Sequence, residues 1–144
     1  MKHILSSIFL LVFITNIQAQ KEIKWASFVR EHDDAWFATP EAKAIAENVL
    51  LYQRNIGGWP KNIQMQNPLT DVQKKEIMAL KSDDHNVTTD NGATTQEMLY
   101  LSKMYAKVQD DRYRVAFLAG LDYILEAQYD NGGWPQFKKK KKGY

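Results

Sequence analysis

"QRNIGGWPK" (residues 53–61) and "QYDNGGWPQ" (residues 128–136) place a Gln, three residues and then Gly-Gly-Trp-Pro twice in one chain, 75 positions apart. Each copy follows an amphipathic stretch that ends in the Gln: "ENVLLYQ" (47–53) and "LDYILEAQ" (121–128). Paired glycines permit left-handed backbone and close approach, so they are expected to end a helix. The Trp is then expected to fold back across the helix end, with Pro holding an extended exit. The Gln amide is free to bond backbone groups released by the turn. A repeated helix–turn unit of this kind predicts paired helices around a common axis. Both Trp59 and Trp134 therefore read first as structural wedges, with a wall for a flat sugar ring as the alternative.

Outward from these turns the spacing is helical. Thr39 and Pro40 suit an N-cap and first helical position, and Ala42, Ile45, Ala46, Val49, Tyr52 and Gln53 share a face. Thr70-x-x-Gln73 has the form of a capping box, followed by Val72, Ile77 and Leu80. Thr94-x-x-Glu97 has the same form, followed by Met98, Leu101, Tyr105 and Val108. Asp110 or Asp111 is expected to cap a fourth helix with Tyr113, Phe117, Leu121, Ile124 and Gln128 on its inner face. The earlier segment carrying Ile23, Trp25, Phe28 and Trp36 is expected to be helical in part. Alternating β-type runs are missing, so the expected class is all-α.

The chain has 144 residues, 44% of them hydrophobic and 25% charged, a composition ordinary for one globular domain. Its start, "MKHILSSIFLLVFITNIQAQ", has a basic residue, a short apolar run and Gln18-Ala19-Gln20. That is the layout of a signal peptide over residues 1–19, and it predicts a secreted or periplasmic protein without a membrane anchor after cleavage. There are no cysteines, so neither disulfides nor a lipid anchor are expected. The net charge of +2 depends on five consecutive lysines at 138–142; the body is mildly acidic. A nucleic-acid surface, which needs clustered positive charge on the fold, is not expected.

The segment "DDHNVTTDNGATTQE" (83–97) is rich in hard oxygen donors. Next to a helix N-terminus these suit a cation such as Ca2+, although an EF-hand loop is not matched and turn chemistry is the plainer reading. His32 and His85 lack a second His or Cys at zinc spacing. Lys61, directly after the first Gly-Gly-Trp-Pro, is placed to meet an anion, or else is a solvated surface lysine.

"EAKAIAENVLLYQRNIGGWPKN" (41–62) and "TTDNGATTQEMLYLSKMYAKVQDDRYRVAFLAGLDYILEAQYDNGGWPQF" (88–137), in this order and spacing, resemble the pectate lyases of polysaccharide lyase family ten. The resemblance runs from about Trp25 to Phe137. Gln-x-x-x-Gly-x-Trp also occurs in triterpene cyclases, but their acidic motif is not seen here. The resemblance implies an (α/α) toroid-like barrel, incomplete in this chain, with residues 20–137 as the N-terminal portion of a catalytic domain. It implies polygalacturonate as substrate and Ca2+ as cofactor; a monomer is the expected working form. The implied reaction is an anti-β-elimination, in which Ca2+ acidifies the C5 proton beside a uronate carboxylate and an arginine removes it. The "DNGAT" match carries the calcium and substrate role to Asp90, with Asn91 and Thr94 as substrate-side or supporting partners and Lys61 as a further carboxylate contact. Arg112 and Arg114 belong to the fourth helix and do not map onto the catalytic arginine, which is expected beyond Tyr144. The family pattern stops after Phe137, and residues 138–144 read as an aberrant Lys-rich tail. The expectation is a truncated, inactive lyase fragment; the alternative is a secreted, non-catalytic carbohydrate-binding module for acidic polysaccharide.

Overall fold

The computed structural model describes residues 23–138; the signal-like segment and nearly all of the lysine tail lie outside the described residues. Five helices follow one another: α1 (Trp25–Glu31), α2 (Pro40–Tyr52), α3 (Asp71–Ala79), α4 (Thr95–Val108) and α5 (Asp111–Ala127). Short 3-10 turns lie at Trp36–Ala38 and Asp90–Gly92. Among the described residues the β-type pairing is one isolated antiparallel bridge, Pro60 with Val87.

Local signals set most helix starts. The Thr39 hydroxyl accepts from Ala42 N–H at 3.2 Å, and Ala42, Ile45, Ala46 and Val49 are buried behind it. Both halves of the capping box form between Thr70 and Gln73. The inner face expected of α3 does not materialise: Val72 is 66% and Leu80 43% exposed, and only Ile77 is buried. A good cap makes a helix start; it does not supply a core for it to lie on. Asp110 caps α5 by accepting from Arg112 N–H at 2.9 Å, just after Gln109 ends α4 in left-handed backbone.

The α4 helix is central and packs on α1, α2 and α5. Met98, Tyr100, Leu101 and Met104 are buried, and Tyr100 donates its hydroxyl to Ala42 O at 2.9 Å. Trp25, Trp36 and Phe37 ring Tyr100 at centroid separations of 5.1, 6.5 and 5.5 Å. Each such side chain, fully buried, contributes roughly 1.5–3 kcal/mol. The buried face of α5 is Tyr113, Ala116, Gly120, Tyr123 and Ala127, rotated from the expected one; Phe117, Leu121 and Ile124 are only partly buried and Gln128 is exposed. Gly120 explains the rotation. A Cβ there would lie 2.9 Å from Met98 Cγ and 2.9 Å from Trp59 Cζ3, so α5 approaches the core along its smallest residues.

The two Gly-Gly-Trp-Pro turns repeat bond for bond. Gln53 Nε2 donates to Gly57 O at 2.7 Å, and Gln128 Nε2 to Gly132 O at 3.1 Å. Trp59 Nε1 donates back to Val49 O at 2.7 Å, and Trp134 Nε1 to Ile124 O at 2.8 Å. Arg54 N–H bonds Gly58 O at 3.0 Å, and Tyr129 N–H bonds Gly133 O at 2.8 Å. Gly57 and Gly132 both take positive φ, 101° and 83°. The surroundings differ. A Cβ on Gly57 would meet Ala119 O at 2.2 Å, whereas one on Gly132 would meet nothing within 4 Å. Gln53 also donates to Ala116 O on α5 at 2.8 Å. Trp59 is fully buried while Trp134 is 47% exposed. The first turn is a core joint; the second carries the same internal wiring at the surface.

Candidate functional site

The Pro60–Val87 bridge lays the exit of the first turn beside the loop that leads to α4, and Thr88 N–H extends it by donating to Trp59 O at 3.2 Å. Thr88 is fully buried. Its hydroxyl accepts from Asp90 N–H at 3.0 Å and donates to Gln136 O, at the exit of the second turn. One buried threonine thus joins both turns to the Asp90 loop.

The result is a cradle. Lys61 Nζ lies 2.5 Å and Gln136 Nε2 2.7 Å from the same oxygen, Asp90 Oδ2. Lys61 and Gln136 are matched positions, each directly after a Gly-Gly-Trp-Pro. All three residues are partly exposed, with side-chain exposures of 26% for Lys61 and 33% for Asp90. The Lys61 ammonium, and after it the Gln136 amide, hold the Asp90 carboxyl below the usual carboxylate range. Phe137 lies under the Lys61 ammonium, 5.5 Å from ring centroid to nitrogen.

Of the residues singled out in the sequence, Lys61, Asp90 and Asn91 share this surface, with Asn91 Nδ2 donating to Asn62 Oδ1 at 3.2 Å. Thr94 does not reach it. Thr94 is fully buried, and its hydroxyl accepts from Trp59 N–H at 3.0 Å and donates to Thr88 O at 2.9 Å. The expected Thr94 capping bond is therefore not made: tertiary partners take the hydroxyl, and α4 starts without a side-chain cap. At φ 67° and ψ −49°, Thr94 also holds a conformation that is rare for a β-branched residue. Its place is behind the site, locking the Asp90 loop to the first turn. Gln136 was not named in the sequence reading, and Thr88 only as one of the oxygen donors of the 83–97 segment, with no role of its own. Gln136 had a signal, its register with Lys61 in the repeat; nothing in the segment set Thr88 apart from the neighbouring threonines.

A hard cation fits Asp90 only as a shared ion. Ca2+ takes six to eight oxygens. Asp90 brings one carboxylate, and the Lys61 ammonium sits on it. The remaining oxygens would have to come from neighbouring amide or backbone carbonyls, an anionic ligand and water. Among the described residues the group that clusters three ligand-type side chains, within 4.8 Å, is Asp83, Asp84 and His85 in the preceding loop. There Asp83 Oδ1 already accepts from His85 N–H at 3.0 Å and contacts the His85 ring at 2.9 Å, and the backbone bond leads in holding the Asp83 carboxyl down.

Residues 53–144 match the family described as pectic acid lyase. That span is more than half of the chain, and the chain belongs to the pectic acid lyase family. Among solved structures it is similar to the family 10 polysaccharide lyase from Cellvibrio cellulosa, at 29% identity and a TM-score of 0.57. It is also similar to a mutant of that lyase in complex with trigalacturonic acid, at 28% identity and a TM-score of 0.57. Each similarity covers 83% of this chain and 32% of the other, so the chain spans about a third of the length of these lyases. The fold is an incomplete α/α toroid. No curated protein matches the sequence.

Proposed function

We propose that the Lys61–Asp90–Gln136 cradle binds polygalacturonate carboxylates as part of a calcium-assisted pectate lyase site. The observation that supports this is the convergence of both turns on one partly exposed carboxylate, inside the region matched to the lyase family. Asp90 would hold one side of a Ca2+ shared with the polymer. The ion, when bound, neutralises a uronate carboxylate and acidifies the neighbouring C5 proton. The chain's own residues bind and orient. Lys61 supplies a compact point charge on a flexible stem, suited to a uronate carboxylate once it leaves Asp90. Gln136 keeps the Asp90 carboxylate turned toward the polymer. In this reading the protein is exported through residues 1–19 and works as a monomer.

Proton removal needs a base, and the four arginines are engaged away from Asp90. Arg30 donates to Ala26 O at 2.8 Å, and Arg54 is 8% exposed and turned to Tyr52 O. Arg112 pairs with Asp110 and Glu47, and Arg114 with Asp111. The reading for this chain is therefore capture of pectate without turnover by its own arginines. Calorimetry of the full chain with trigalacturonate, with and without Ca2+, tests it, run beside an absorbance assay for unsaturated product. Calcium-dependent binding lost in Asp90→Ala, with no product, is expected. Binding that survives Asp90→Ala overturns the reading. A cation-independent sugar-binding role has one observation in its favour, the 47% exposure of Trp134, and predicts that Trp134→Ala alone abolishes binding.

A further inference from the structure

Three hydrogen bonds beneath the cradle close into a ring. The Thr88 hydroxyl donates to Gln136 O, Gln136 Nε2 donates to Asp90 Oδ2 at 2.7 Å, and Asp90 N–H donates back to Thr88 Oγ1 at 3.0 Å. Each of these residues gives one bond to the ring and receives one. The backbone of Thr88 is committed as well. Its N–H donates to Trp59 O at 3.2 Å, and its carbonyl accepts from the Thr94 hydroxyl at 2.9 Å. Thr88 is fully buried, so no water stands ready to replace either bond of its hydroxyl.

The ring sets the two donors on Asp90 Oδ2 apart. Gln136 is held at both ends, by its backbone carbonyl and by its amide, so its reach to Asp90 has one geometry. Lys61 meets Asp90 at the tip of a flexible stem, with its ammonium over the Phe137 ring. A hydroxyl has a single proton to give. Here that proton goes to the second turn, which leaves a lone pair of Oγ1 for the Asp90 N–H. Linked bonds of this kind polarise and strengthen one another where water is excluded. The ring therefore fixes the rotation of the Asp90 carboxylate, while Lys61 adds charge and is free to leave.

We propose that Thr88 is a positioning residue for ion and pectate capture, its hydroxyl acting through Gln136 to hold the Asp90 carboxylate in the binding orientation. The inference rests on the polygalacturonate reading of the cradle and adds the group that sets the cradle before a ligand arrives. A loose carboxylate would have to be ordered at each binding event, at a cost in affinity. The hydroxyl carries this role, and the bulk of the side chain does not. Thr88→Ser therefore keeps it, and Thr88→Val, of nearly the same shape, loses it.

The test uses the full chain, unaltered and as Thr88→Val, Thr88→Ser, Gln136→Ala and the Thr88→Val with Gln136→Ala pair. Without ligand, the 1H–15N signals of the Gln136 side-chain amide are assigned by their absence in Gln136→Ala. They are expected to show the fast solvent exchange of a free amide in Thr88→Val and to stay in place in Thr88→Ser. Calorimetry with trigalacturonate and Ca2+ is expected to give an affinity about tenfold lower in Thr88→Val and in Gln136→Ala, the scale of one hydrogen bond to a charged group, and no lower in the pair. Losses that multiply to about a hundredfold in the pair show two separate roles and overturn the proposal. An unmoved amide in Thr88→Val, or a serine chain that behaves as the valine chain does, overturns it too. Gln136→Ala changes a partly exposed side chain, so it reports even if the valine chain does not fold, and an unchanged affinity there also overturns the proposal. An unaltered chain without calcium-dependent binding overturns the polygalacturonate reading instead, and the amide signals alone then decide whether Thr88 positions Gln136.

Discussion

The same substitution placed in both turns separates backbone strain from packing. Gly57→Ala and Gly132→Ala each put a Cβ on backbone with φ of 101° or 83°. That cost, about 1–2 kcal/mol, is common to both. Only at Gly57 does the new atom also meet Ala119 O at 2.2 Å and Ala119 C at 2.9 Å. These are backbone atoms inside α5, so no side chain can swing aside and the helix itself has to move. Overpacking of this kind adds about 1–3 kcal/mol. Gly57→Ala is expected to cost about 2–5 kcal/mol in all and Gly132→Ala about 1–2 kcal/mol. The larger value is a sizeable part of the 5–15 kcal/mol that holds an ordinary domain. Urea unfolding followed by far-UV circular dichroism measures both. Equal costs, or a greater cost at Gly132, would refute the claim that α5 seats on the first turn alone.

Other outcomes follow from single groups. Thr94→Val leaves the buried Trp59 N–H and Thr88 O without partners and is expected to destabilise by about 2–4 kcal/mol, with Thr94→Ser much milder; urea midpoints decide it. Lys61→Met removes the ammonium that occupies Asp90, so Ca2+ affinity by calorimetry is expected to rise while trigalacturonate affinity falls; a fall in both would show that Lys61 merely props the loop. Burial pushes the Glu97 carboxyl up to about 7 from an ordinary 4.5. The folded state therefore holds this proton more tightly than the unfolded one. Its contribution is full below pH 4.5 and is lost as pH rises to 7, on the order of 3 kcal/mol. Melting temperatures across that window are expected to fall more steeply for the natural chain than for Glu97→Gln, and parallel slopes would refute the assignment.

Features of the sequence that act locally were legible. Thr39, Thr70 and Asp110 cap as their spacing predicts because a cap reaches no further than its own first turn. The repeat was legible too, in the Gln amide that bonds its own turn and in the Trp that folds back over the helix end, though not in the Trp Nε1 bonds that pin it there. Periodicity misplaced the buried face of α5 because it weights Phe117, Leu121 and Ile124. Close approach is instead granted by Ala116 and Gly120, which carry almost no hydrophobic signal. Thr94 misled for the opposite reason: its hydroxyl had two readings, and partners six and 35 residues away won over its own helix. At the cradle, Asp90 and Lys61 were proposed from resemblance and position. Their contact, and the part played by Thr88, needed the three-dimensional arrangement of the loops.

The matched positions 61 and 136 hold unlike residues, a cation and a neutral amide, on one shared oxygen. In the proposed role, the first copy of the repeat brings a charge to the polymer beside Asp90 and the second brings only a neutral amide, so a unit that builds both turns alike arms them differently.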